Sequence, residues 1–243
     1  MCLPTAIKVH SECYILKKNA KGNKFVIVES IYSMDGDYAP LKEIIEVSEK
    51  FEALVILDEA HATGVCCNHK LGRVMELGLQ DFVWARVHTF GKAMGVHGAI
   101  IITNKKLKEF LINFSRSFIY TTALPIDSIC AIDAAYEYLL QTNLVNDLNK
   151  NIASFRETAQ QEGIKEYFID SYSPIQSIVI PGNDKVKELC FYLNEMGFDV
   201  RPILSPTVKG GQERLRICIH AFNAKEDIAR LLKEIRSKLS RVD

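Results

Sequence analysis

Along the first half of the chain, short apolar runs alternate with stretches of helical spacing. Residues 25–29 (FVIVE) read as a buried strand, followed by a turn-rich stretch over 33–40 and a helix-spaced segment over 41–51. Further strands are predicted at 54–57, 84–89 and 99–103, and helices at 105–114 and 126–140. Continuous β-branched runs separated by helices predict strands covered on both faces, as in a largely parallel α/β sheet. After about Asn143 the pattern changes. A long helix is predicted over 145–162, then a strand at 175–180, a helix at 184–196, strands at 199–203 and 215–220, and a terminal helix from Ala224. Helices beside a few strands predict a small α+β domain, with turns at 181–183 and 209–211. The expected division is residues 1–150 and 151–243, with the boundary falling somewhere in 142–165.

Composition narrows this picture. Lys+Arg and Asp+Glu are each 30, so no whole-chain field attracts nucleic acid or an anionic membrane. The basic stretch 17–24 reads as a solvated loop. The seven cysteines are scattered and lack CxxC spacing, which supports neither a metal site nor a disulfide framework and fits a reducing cytosol. Cys130, Cys190 and Cys218 sit in apolar runs and are read as buried. Residues 1–10 lack the basic head and apolar run of a signal peptide, and no stretch is apolar enough to span a bilayer.

Three segments of the first half end an apolar strand with polar residues, where open α/β sheets place ligands. In Asp58-Glu59-Ala60-His61-Ala62-Thr63-Gly64, an acid directly after a strand suits pairing with a protonated ring nitrogen. The same letters spell the DEAH of a helicase-type ATPase, but that motor needs a GxxxxGK[ST] loop and the only Gly-Lys is Gly91-Lys92, followed by Ala93. The plain structural reading is an aspartate N-cap beside a partly buried histidine. In His88-Thr89-Phe90-Gly91-Lys92-Ala93-Met94-Gly95, a lysine entering a glycine-rich turn can be held with its amine desolvated, which makes it nucleophilic toward a carbonyl. The alternative is an ordinary surface lysine. Ser33-Met34-Asp35-Gly36-Asp37 holds a common turn pair.

Taken in order, SMDGD, DEAHATG and TFGKAMG resemble the α-oxoamine synthases, a branch of the fold-type I pyridoxal-phosphate (PLP) enzymes. The strings Ala85–Lys92, 118–123 (FIYTTA) and 201–208 (RPILSPTV) place the resemblance nearest the members that make 8-amino-7-oxononanoate. The resemblance runs from about Lys24 to the C-terminus. It implies the C-terminal part of a PLP-binding large domain plus a small α+β domain. It also implies that Lys92 carries PLP and moves the substrate's α-proton. Asp58 would hold the ring nitrogen's proton, and His61 and Ser33 would sit near the ring's phenolic oxygen. Thr89 would bind the phosphate, Thr121 or Thr122 would reach a neighbour's phosphate in a homodimer, and Thr207 would contact substrate. Arg216 would grip the amino acid's carboxylate, although strand alternation puts Arg214 and Arg216 on one face and spacing alone does not choose between them. The plain alternative for Thr121 and Thr122 is capping of the helix after Pro125. The implied reaction is decarboxylative transfer of a pimeloyl group, from CoA or a carrier protein, to L-alanine. The sister reactions are those of glycine C-acetyltransferase, 5-aminolevulinate synthase and serine palmitoyltransferase. Residues 1–24 hold no glycine-rich phosphate loop, so the resemblance also implies a fragment or truncated gene product. Such a chain would be oligomeric or poorly soluble alone, and at the extreme an inactive dimerisation module.

Overall fold

The computed structural model describes residues 22–66 and 70–239. The basic stretch 17–24, Cys2, Cys13 and Cys67 fall wholly or mostly outside them. Two units emerge: residues 1–31 with 39–143, and residues 32–38 with 144–243.

In the first unit, β1 (Lys24–Glu29), α1 (Leu41–Lys50), β2 (Ala53–Asp58), the short α2 (Arg73–Glu76), β3 (Ala85–Thr89) and β4 (Ala99–Thr103) follow one another. Three helices complete it: α3 (Lys105–Phe114), the short α4 (Arg116–Ile119) and α5 (Ile126–Gln141). The sheet order is β1-β2-β3-β4, with β1–β2 and β2–β3 parallel and β3–β4 antiparallel. This is the mostly parallel α/β sheet that the apolar runs predict. Helix α1 packs on β2 and buries Leu41, Ile44, Ile45 and Ser48, the i, i+3, i+4, i+7 stripe of an amphipathic helix.

Coverage is less complete than the apolar runs suggest. Val55 and Leu57 of central β2 are buried, but Ile27 of β1 is 75% exposed, and Ile100, Ile101 and Ile102 of β4 are exposed on both faces. β1 and β4 are the edges of this sheet, so β-branched content there reports strand propensity rather than burial. Helix α5 buries Leu139 and leaves Ile126 and Ile129 exposed; Cys130, on the same helix, is exposed rather than buried. Its C-terminus is tied to the loop before α2: the buried Lys70 Nζ donates to the carbonyls of Leu139 (2.5 Å) and Thr142 (3.2 Å). A cation there meets the negative end of the helix dipole.

In the second unit, α6 (Leu144–Gln161), β5 (Ile175–Val179), α7 (Asn183–Glu195), β6 (Arg201–Ile203), β7 (Arg214–Cys218) and α8 (Lys225–Leu239) form an α+β arrangement with an antiparallel sheet ordered β5-β7-β6. Gln176, Ile178, Leu215 and Ile217 line its buried face, and α7 packs on β6 and β7. Cys190 of α7 is buried, as its apolar run predicts. Cys218 is not: two residues beyond Arg216 on β7, it shares the other, more open face.

Residues 32–38 belong to this second unit although they follow β1 in sequence. They form a tight turn, with Gly36 N donating to Tyr32 O and Tyr32 N to Asp37 O. Ser171 Oγ donates to Gly36 O and Ser177 Oγ to Met34 O, both at 2.9 Å. Gly36 is buried at φ 76°, and a side chain there would run into the Ile175 carbonyl. Only glycine suits both the conformation and the space. No helix among the described residues is long and apolar enough to cross a membrane.

Candidate functional site

The expected site residues divide between the units. Asp58, His61, Thr89, Lys92, Thr121 and Thr122 lie in the first; Ser33, Thr207 and Arg216 lie in the second.

In the first unit, parallel pairing sets the ends of β2 and β3 side by side, with Asp58 opposite Val87. The chain leaves β2 through a tight turn. Asp58 Oδ1 accepts the Ala60 amide at 2.7 Å, and Glu59 O accepts the amides of Ala62 and Thr63. Asp58 therefore closes an Asx-type turn, not the helix N-cap of the plain reading. Asp58 and His61 are half-buried at its rim. From β3, residues 90–98 form a closed loop: Phe90 N donates to Gly98 O, Val96 N to Phe90 O and Gly95 N to Lys92 O. Buried Phe90 and Met94 anchor it. The two turns meet, since a Cβ on Gly64 would stand 3.0 Å from Cβ of Ala93. The DEAHATG and TFGKAMG segments thus share one edge of the sheet.

Lys92 is exposed, so among the described residues it has the setting of the surface-lysine alternative and not a desolvated amine. Small neighbours give the backbone room to turn, and that same lack of bulk leaves nothing to cover the side chain. Thr89 is the opposite case: its hydroxyl is buried and has no hydrogen-bond partner among the described residues, a state proteins seldom leave without a ligand or water. Neither Thr121 nor Thr122 caps α5. The Thr121 hydroxyl donates back to Ser117 O, α5 has no side-chain cap, and both threonines are exposed.

The sequence reading passed over the groups that hold this edge in shape. Glu59 is fully buried and its carboxylate accepts from Ser30 Oγ (2.6 Å), Arg73 N (3.0 Å) and Val74 N (2.7 Å), joining the end of β1 to the start of α2. Burial raises its pKa above the usual carboxylate range, and those three bonds oppose the rise. Gly72, at φ 102°, leaves room for it; a Cβ there would lie 2.9 Å from the carboxyl carbon. The adjacent Asp-Glu pair is the visible signal, and only the structure tells the buried acid from the rim acid.

His88 is the second such group. It is buried, and its Nδ1 lies 2.9 Å from Thr63 Oγ1. The Thr63 hydroxyl spends its one proton on the Glu59 carbonyl (2.8 Å), so it accepts from His88 Nδ1–H. His88 Nε2 then carries a buried lone pair with no partner among the described residues. Burial, then the Arg86 charge, lower the His88 pKa to about 4, with Asp58 opposing. The unfolded chain therefore binds a proton that the folded one refuses between about pH 6.5 and pH 4. Stability is expected to fall as pH drops through that window. His88→Asn, whose amide can stand in for Nδ1, should flatten this limb when melting temperature is followed from pH 7 to pH 4. An unchanged limb would assign the acid sensitivity elsewhere.

In the second unit, Arg214 and Arg216 do share one face of β7, and Arg201 of β6 lies opposite Arg216 on that face. Arg214 Nη1 is ion-paired with Asp35 Oδ1 and its Nε donates to Gln212 O. Arg201 pairs with Asp199 at 2.9 Å. Arg216 has no carboxylate partner among the described residues, and its Nε is buried without an acceptor. Ser33 is half-buried on the 32–38 turn and Thr207 is exposed. No group of His, Cys, Asp and Glu with metal-holding geometry occurs among the described residues.

Known proteins match this arrangement along almost its whole length. The chain is 39% identical over 233 residues to an 8-amino-7-oxononanoate synthase of Emericella nidulans, covering 91% of this chain and 56% of that protein. It is 34% identical over 220 residues to one of Arabidopsis thaliana, covering 89% and 44%. The chain thus spans about half the length of the curated relatives it matches. Among solved structures, an 8-amino-7-oxononanoate synthase of Francisella tularensis superposes with TM-score 0.81 at 27% identity, over 94% of this chain and 66% of that one. A Sphingomonas wittichii serine palmitoyltransferase gives TM-score 0.87 at 26% identity, over 96% and 59%. The family model described as "Aminotransferase class I and II" matches residues 6–235, through both turns at the sheet edge and the arginine-bearing strand. With that match unbroken across both units, the chain belongs to the aminotransferase class I and II family.

Proposed function

We propose that this chain carries PLP on Lys92 and serves a decarboxylative acyl transfer that joins L-alanine to a pimeloyl thioester, borne on CoA or a carrier protein, to give 8-amino-7-oxononanoate. The observation that carries the reading is the donor set at the ends of β2 and β3. An exposed amine (Lys92), a buried hydroxyl with no partner among the described residues (Thr89) and a rim carboxylate (Asp58) lie at or just beyond those two strand ends. PLP needs those three groups, for its aldehyde, its phosphate and its ring nitrogen, so the residues present fit it. When bound, PLP supplies an electron sink for charge developing at the amino acid's α-carbon.

Each residue's task follows from its chemistry. Lys92 would hold the cofactor through Nζ, and the same nitrogen would take the substrate's α-proton. Asp58 keeps a proton on the ring nitrogen by charge pairing. Its own geometry is fixed by the Ala60 amide on Oδ1. His61, on the same turn, and Ser33 serve the phenolic oxygen. Arg216, with no carboxylate partner among the described residues, offers its guanidinium to the substrate carboxylate, a bidentate fit for a planar anion. Thr207 contacts substrate, and Thr121 or Thr122, exposed in this chain, reach a second subunit's phosphate in a homodimer. A second reading, acyl transfer to L-serine or glycine from another thioester, draws support from the serine palmitoyltransferase likeness.

Turnover assays of the PLP-loaded protein, pairing L-alanine, glycine or L-serine with pimeloyl, acetyl, succinyl or palmitoyl thioesters, separate the two. The expected result is a kcat/KM at least about tenfold higher for L-alanine with the pimeloyl thioester, equal to ~1.4 kcal/mol. A preference for glycine or L-serine would replace the proposal with the second reading.

A further inference from the structure

Arg201, Arg214 and Arg216 share one face of the β5-β7-β6 sheet, and two carboxylates neutralise two of the three. Asp199 takes Arg201 and Asp35 takes Arg214. These pairs differ in kind. Arg201 and Asp199 are both largely exposed, so their pairing is loose and screened. Arg214 and Asp35 are 7% and 18% exposed, and Arg214 Nε is also tied to Gln212 O. Asp35 in turn is held by the turn around Gly36 and by Ser177 on Met34.

Resting on the reading of Arg216 as the carboxylate clamp, we propose that Asp35 is a specificity-determining positioning residue: it commits Arg214 to an internal ion pair so that an amino-acid carboxylate finds one guanidinium, that of Arg216. The two arginines are equivalent by strand alternation and stand roughly 6.7 Å apart along β7. A carboxylate gripped by Arg214 would be displaced by that distance, which no reacting centre tolerates. With Asp35 in place, Arg214 has a permanent anion and Arg216 has none. Asp35 touches no reacting atom; it acts through Arg214.

The Arg Nε–H resonances of the PLP-loaded protein, titrated with L-alanine, test this without relying on turnover. In the wild type, saturable shifts are expected at Arg216 and not at Arg214. In Asp35→Asn, Arg214 should also respond, and kcat and KM for L-alanine should fall together by a similar factor, the signature of misregistered binding. In Asp35→Asn/Arg214→Met, where both charges are gone, the response should return to Arg216 alone and both constants should recover. A purely structural Asp35 would leave the double variant no better than the single one, and that result would overturn the proposal. So would an Arg214 that stays silent in a folded Asp35→Asn protein. If Asp35→Asn fails to fold, the double variant decides alone, since loss of the Arg216 response there would make the pair a scaffold and not a filter. A wild-type Arg216 that does not respond would instead overturn the clamp reading itself.

Discussion

Replacing Lys92 with alanine is expected to abolish turnover, a loss of at least about four powers of ten or ~5.4 kcal/mol of transition-state stabilisation. The size follows from the two tasks proposed for this one amine, covalent attachment of the cofactor and movement of the α-proton. Lys70, the buried candidate, has its ammonium on the Leu139 and Thr142 carbonyls at the end of α5. Lys92 stands exposed on its closed loop. Borohydride reduction followed by peptide mapping checks the assignment, with all label expected on the peptide containing Lys92. Label on Lys70 or any other lysine would overturn it.

Asp58→Asn is expected to leave PLP bound while slowing α-proton removal by about three powers of ten or more, above ~4 kcal/mol. Asparagine can still accept the Ala60 amide on its carbonyl oxygen, so the turn should survive. What disappears is the negative charge that favours a protonated ring nitrogen. The measurement is the rate of α-hydrogen exchange of L-alanine with solvent, alongside the cofactor's visible absorbance as a check on occupancy. Near-normal exchange would reduce Asp58 to a turn-forming residue. Glu59 is no substitute, because both of its oxygens are already committed to Ser30, Arg73 and Val74.

Much of this was legible in the letters because strand ends in an α/β sheet are marked by a sharp change from apolar to polar. Leu57-Asp58 and Thr89-Phe90-Gly91-Lys92 are such changes, and the structure sets both turns at one sheet edge. The rest depended on contacts that no local pattern encodes. Residues 32–38 look like the end of β1, yet hydrogen bonds from Ser171 and Ser177 hold them in the second unit. Arg214 and Arg216 are indistinguishable by alternation, and only the distant Asp35 separates them. Apolar runs predicted burial for β4, Cys130 and Cys218, but an edge strand, an uncovered helix face and the open side of a sheet each expose apolar side chains. Glu59 and His88 carry polar letters and are buried. Their burial follows from three-dimensional cover at a sheet edge, with partners from other strands and turns supplying the bonds.

The placement of residues 32–38 also shapes how the second unit comes to be made. Its partners there are separated by 135 positions for Ser171 and Gly36, 143 for Ser177 and Met34, and 179 for Arg214 and Asp35. Contacts of such long range carry a large loop-closure entropy and slow the folding search. On the ribosome, the turn must wait for β5 to meet Ser177 and for β7 before Asp35 meets Arg214. A piece cut at Asn143 would yield α6 to α8 and their sheet without the turn that neutralises Arg214. Residues 144–243 alone would therefore lack a turn that belongs to their own unit, whatever the linear order of elements suggests.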